Sequence, residues 1–203
     1  MRIWIICSGG KRARLPGRCT LSEYAALRQG ELDGEAMLDG AAAVAANGRK
    51  LYVSPRACAA ETAARLVTGA EGVIEPLLDE PEPAVRGDRA LPTWLCRLTA
   101  WLYGILGAGK KECRDRAAMF ADRLESEGGN AIIISHPRTI AALIDVLRVR
   151  GYCVQRTGIG RIKPPEQMLL SMRDEHCGGC AHNCLLSNPG CNIGRDKAAR
   201  HSA

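Results

Sequence analysis

The sequence predicts an α/β layer fold built around one core, and three observations carry that prediction. Strand-like apolar runs alternate with helix-periodic segments along residues 1–172. A length of 203 residues suffices for one good core and a small appendage. The stretch NAIIISHPRTIAALIDVLRVRG, residues 130–151, reads as a buried strand running straight into a helix. Ala131–Ile134 is apolar and β-branched after its first residue, which suits a strand covered on both faces. Pro137 fits a first helical position, and Ile140, Leu143, Ile144 and Leu147 recur at helical spacing until Gly151 stops the helix. Ser135, His136 and Pro137 then lie at the carboxyl end of a strand, where open α/β sheets bind ligands.

The other elements follow in chain order. Arg2–Cys7 (RIWIIC) is a first buried strand, and the Gly-rich basic loop SGGKRARLPGR follows it. Thr20 and Glu23 form a capping box for a helix over about residues 21–29. Gly-rich turns around residues 30–40 and the helix-prone Ala41–Ala46 lead to a second strand at Lys50–Ser54. Ser54 and Pro55 cap a helix through about Val67, and Val73–Leu77 is a short strand. Glu80–Leu91, rich in Pro and charge, is a loop. Helices are expected near Pro92–Leu106 and Lys111–Glu127. The first has a wide apolar face (Trp94, Leu95, Leu98, Trp101, Leu102, Ile105) that predicts burial. Tyr152–Thr157 and Gln167–Met172 are closing strands. After about Asp174 the chain turns to Cys, Gly, Asn and His with little to bury.

Composition narrows the classes. No run approaches the roughly 20 apolar residues of a membrane span. The apolar start, Ile3–Cys7, is too short for a secretion signal. Ten cysteines in that context suggest a reducing cytoplasm, where clustered cysteines bind metal or do chemistry more often than they form disulfides. The net charge of +6 gathers in two runs without acids, residues 1–22 and 146–165. Either a solvated surface or an anionic ligand accounts for them. Neither run interleaves aromatics for base stacking, so nucleic acid is not the expected partner.

The order of the pieces resembles the histidine phosphatase, or phosphoglycerate mutase-like, superfamily over roughly residues 1–152. That family opens with a strand ending in Arg-His-Gly, and its second motif reads Ser-Pro-x-x-Arg-Ala-x-x-Thr-Ala. An acid follows a Leu-rich strand, and a second His ends a later one. Here the second motif reads Ser54-Pro55-Arg56-Ala57-Cys58-Ala59-Ala60-Glu61-Thr62-Ala63. The acid stands in Leu77-Leu78-Asp79-Glu80, and the second His in Ser135-His136-Pro137. The resemblance implies a layered sheet flanked by helices. It also implies that Cys7, Ser8, Cys58, Glu80 and His136 converge on one cavity, with Gly9, Lys11, Arg12 and Arg138 near an anionic ligand.

The family's chemistry does not carry over. Its nucleophilic His attacks phosphorus while arginines hold the phosphoryl oxygens. The resemblance puts Ser8 at that His, Cys7 and Cys58 at two arginines, and Pro137 at a Gly whose N–H would face phosphate. His136, His176, His182 and His201 are the only histidines, so no shift of register supplies another nucleophile. What remains is a non-catalytic pocket for a small anionic or phosphorylated ligand, or altered chemistry using Cys7, Cys58 and His136 with or without metal. Residual phosphomonoesterase activity is a third reading.

The tail HCGGCAHNCLLSNPGC spaces Cys177, Cys180, Cys184 and Cys191 as C-x2-C-x3-C-x6-C. Four cysteines in a stretch too polar to fold by burial call for a metal to supply the folding energy. Tetrahedral zinc satisfies this, and so does a 4Fe–4S cluster, which would add redox sensing or electron transfer. The expected organisation is an α/β domain at 1–172, a four-cysteine module at 174–194 that can dock a protein partner, and a basic end at 195–203.

Overall fold

The computed structural model describes residues 1–11, 13–38, 41–81, 85–106, 108–156 and 167–172. The four-cysteine module, the basic end and Arg12 lie outside the described residues. In chain order the elements are β1 (Arg2–Cys7), β2 (Arg18–Cys19), α1 (Leu21–Leu32), β3 (Val44–Ala45), β4 (Lys50–Val53) and α2 (Ala57–Leu66). They continue as β5 (Val67–Thr68), β6 (Gly72–Ile74), a 3-10 turn at Pro76–Leu78, β7 (Leu91–Pro92) and α3 (Thr93–Leu106). Helix α4 (Ala108–Glu127), β8 (Ala131–Ser135), α5 (Pro137–Val149), β9 (Tyr152–Arg156) and β10 (Gln167–Met172) complete them.

The central sheet runs β6-β4-β8-β1-β10-β9. Its first four strands are mutually parallel, and β10 is antiparallel to both β1 and β9. The continuous apolar pattern of β8 has a direct cause in this order: it lies between β4 and β1, and all five of its residues are buried. On one face Ile3, Ile5 and Ile133 pack against Phe120 and Leu124 of α4 and Ile140, Leu143 and Leu147 of α5. On the other, Ile6, Leu51, Val53 and Ile134 meet Ala59 and Leu66 of α2. Tyr52 and Phe120 fix one corner edge-to-face, centroids 5.4 Å apart. The architecture is mixed α/β, with a mostly parallel central sheet flanked by helices.

Local signals behave as expected in several places. Thr20 and Glu23 close a reciprocal capping box on α1. Gly151 adopts φ 94° just after α5, a conformation open to glycine at little cost.

Three expectations fail, and a fourth holds only in part: the strand expected over Val73–Leu77 ends at Ile74, and Pro76, whose fixed φ suits the start of a helical turn, opens the 3-10 turn Pro76–Leu78. Ala41–Ala46 is not a helix, because Val44–Ala45 pairs with β5 in parallel and tertiary pairing overrides alanine's propensity. Ser54 does not cap α2, whose N-cap is Arg56 without a side-chain cap bond, since the Ser54 hydroxyl is committed elsewhere. The apolar face of α3 is not buried: Trp94 is 66 % exposed and Trp101 47 %. The opposite face of α3 carries the packing, with Cys96 joining Cys19 and Tyr24 in a small separate cluster.

Candidate functional site

Three parallel neighbours, β1, β8 and β4, end side by side, so the residues just past each strand are forced together. These are Ser8, His136 and Ser54, all buried. Backbone bonds continue the ladders into the site, Ser8 N to Ser135 O at 2.7 Å and Ser54 N to Ile134 O at 2.9 Å. The Ser54 hydroxyl lies 3.0 Å from Nε2 of His136. Ser8 Oγ lies 2.9 Å from Thr62 Oγ1, and the Thr62 hydroxyl donates to the Cys58 carbonyl one turn earlier in α2. The hydroxyl of Ser8 is therefore held by α2, and the imidazole's hydrogen bond goes to Ser54.

The segment after the 3-10 turn closes over this centre. Ser135 Oγ donates to Leu78 O at 2.7 Å, and Thr139 Oγ1 to Asp79 O at 3.3 Å. At the rim, Arg56 Nε donates to Asp79 Oδ1 at 2.7 Å and Nη1 to Asp33 Oδ2 at 3.4 Å. Glu80 is buried near Arg138, the second residue of α5, whose backbone N–H and guanidinium both favour its carboxylate. A carboxylate of the chain itself thus takes the anion-favouring N-terminus of α5.

Electrostatics follow from burial. Desolvation pulls His136 from 6.5 down to about 4, against the opposing pull of the Ser8 backbone and the Asp79 charge, so the imidazole is neutral at pH 7. Burial raises Glu80, opposed by Arg138 and Arg28. Burial also raises Cys58, with Asp33 and Glu80 adding to it and the Ser8 hydrogen bond opposing. A thiol pushed that way is a poor nucleophile. For Arg56 burial acts to lower, and the bond and charge of Asp79 outweigh it.

Ser8, Cys58, Glu80 and His136 are thus gathered at one place. Cys7 is not part of it. Successive strand residues point to opposite faces, and Cys7 packs with Ile3 and Ile5 against α4 and α5. Lys11 is turned to Glu35, Nζ to Oε2 at 2.7 Å. Gly9 serves through its carbonyl, which accepts from Met37 N at 2.9 Å. Among the described residues no three His, Cys, Asp or Glu side chains gather closely enough to hold a metal, so the metal considered for Cys7, Cys58 and His136 has no ligand set there. A groove of about 700 Å³ lies along α1, lined by Lys11, Arg18, Cys19, Glu23 and Glu31 among others, and none of the His136 cluster reaches it.

Arg56, Asp79, Ser54 and Thr62 carry much of the site, yet the sequence reading did not single them out as functional. Ser54 and Thr62 match named letters of the motif pattern Ser-Pro-x-x-Arg-Ala-x-x-Thr-Ala. Arg56 occupies one of its open positions, and its partner lies 23 residues away, so local pattern offered no signal. No protein-family model matches this chain, and no curated protein matches it significantly.

Proposed function

We propose that the chain is a non-catalytic member of the phosphoglycerate mutase-like fold, a binding protein whose pocket takes a small anionic or phosphorylated ligand at the Arg56–Arg138 rim. The observation that carries this reading is the commitment of Ser8. Where the resembled family keeps a nucleophilic imidazole, this chain has a buried hydroxyl tied to Thr62, while His136 is bonded to Ser54 and shielded from solvent. Rim cations remain, and one of their carboxylates is exchangeable: Asp33 is half exposed and its 3.4 Å bond to Arg56 is long, whereas Asp79 holds Arg56 at 2.7 Å and Glu80 is buried. An incoming phosphate competes with Glu80 and Asp33 for Arg138 and Arg56.

That competition has a sign. Glu80 repels an anion in its ionised form, so Glu80→Gln is expected to tighten inorganic phosphate by about tenfold, with Arg138→Ala weakening it by a similar factor. Titration calorimetry with inorganic phosphate checks both. Equal affinities in the two variants and the wild type would remove the rim from the account.

The tail completes the reading. Cys177, Cys180, Cys184 and Cys191 hold one zinc ion, or a 4Fe–4S cluster, and the module so folded docks a protein partner. Metal analysis of anaerobically purified full-length chain is expected to give one zinc, lost in Cys180→Ser. About four irons with a broad visible absorbance would assign the cluster instead, and no metal at all would sink the module.

A further inference from the structure

Helix α3 turns two faces to opposite surroundings. Cys96 is fully buried and meets Cys19, their Sγ atoms 3.9 Å apart. At about 100° per residue, Trp94, Leu98, Trp101 and Leu102 fall on the other side of the helix. There they are exposed, Leu98 and Leu102 at 42 and 40 %. Single exposed apolar side chains need no explanation, but a stripe of four that includes two tryptophans does. The protein's third tryptophan, Trp4, has the Arg49 guanidinium 4.2 Å over its ring and is not part of the stripe.

The surroundings of the stripe favour one kind of occupant. Arg97 borders it on the helix surface. Residues 85–116 carry seven Lys/Arg against three Asp/Glu, and Arg86, Arg89, Lys110 and Lys111 are exposed where the chain enters and leaves α3. Residues 173–203 offer Leu185, Leu186 and Ile193 as their only large aliphatic side chains and no Phe, Trp or Tyr, too little to cover such a stripe. A second copy would set one cationic border against another. An anionic lipid surface accepts both parts at once: tryptophan and leucine enter the headgroup boundary, and Lys/Arg meet the lipid phosphates.

We propose that α3 is an interfacial docking helix, seating Trp94, Leu98, Trp101 and Leu102 in an anionic lipid surface. No described helix is long and apolar enough to cross a membrane, so the contact is peripheral. The full chain is expected to co-sediment with phosphatidylcholine–phosphatidylglycerol vesicles and not with phosphatidylcholine alone. Its tryptophan emission shifts to the blue on binding, and added salt weakens the interaction. The double substitution Trp94→Ser/Trp101→Ser is expected to cut binding by about tenfold or more. Both side chains are exposed, so circular dichroism and the thermal midpoint stay as in the wild type. Should that variant fail to fold, Arg97→Glu alone gives the electrostatic half of the result. Wild-type protein that ignores the anionic vesicles overturns the proposal, and so does a folded double variant that binds as well as wild type. A dimer in sedimentation velocity that the double variant loses, with no vesicle binding, would assign the stripe to a second copy.

Discussion

Acidification from pH 7 to 4 is expected to cost the fold about 3 kcal/mol through His136 alone. Its folded pKa is pulled to about 4 by burial, against 6.5 for an exposed histidine. Between those values the unfolded chain binds a proton that the native chain does not, so the contribution is present above 6.5 and is lost as pH falls to about 4. Glu80 works the other way: its raised pKa makes the native chain the better proton binder, and that adds stability as pH falls. Asp79, Asp33 and Arg56 face the same centre and set the remaining field. Subtracting the pH profile of His136→Gln from that of the wild type isolates the histidine. Urea denaturation at a series of pH values should show a wild-type slope between pH 6.5 and 4 that the variant lacks. Parallel profiles would mean that the imidazole is hydrated, and that the centre is open.

Gly10→Ala is expected to destabilise the protein by about 3 kcal/mol or more. A β-carbon there would fall 1.5 Å from the Glu31 carbonyl oxygen, a backbone atom that cannot rotate aside. The close approach is part of a clamp. Gly10 bridges to Ala36, Lys11 N donates to Glu35 O, and Met37 N donates to Gly9 O. Glu31 is buried beneath them, accepting from Ala13 N and pairing with Arg28. The loop after β1 is thereby bound to the chain that follows α1. Gly17→Ala is the control, since nothing lies within 4 Å of its added methyl, and it should change the midpoint of thermal unfolding little. Near-equal midpoints for the two variants would mean that the loop stands clear of Glu31.

Much of this is legible in the sequence, for identifiable physical reasons. The run of β-branched residues in β8 announces a strand covered on both faces, and the 3.6-residue period after Pro137 announces α5. Their junction puts His136 at a strand's carboxyl end, where it is found. Cys58 lies near the same centre on α2, the helix that follows β4, and Glu80 lies beside the start of α5. The failures have physical causes too. Cys7 neighbours Ser8 in the chain, and for that reason points the other way, which strand alternation alone could have said. The Arg56–Asp79–Asp33 cluster is made by tertiary approach between segments whose local pattern carries no trace of it. An apolar face on α3 tells that something should cover it and not what, and within the described residues the covering is absent.

Binding without turnover, as proposed for this pocket, has a direct test. One sample tests it: the full chain titrated calorimetrically with p-nitrophenyl phosphate while released nitrophenolate is followed by absorbance. Saturable heat, weakened in Arg138→Ala, and release no faster than in buffer are the expected results. Steady release that disappears in His136→Gln would contradict the proposal and make the protein an enzyme.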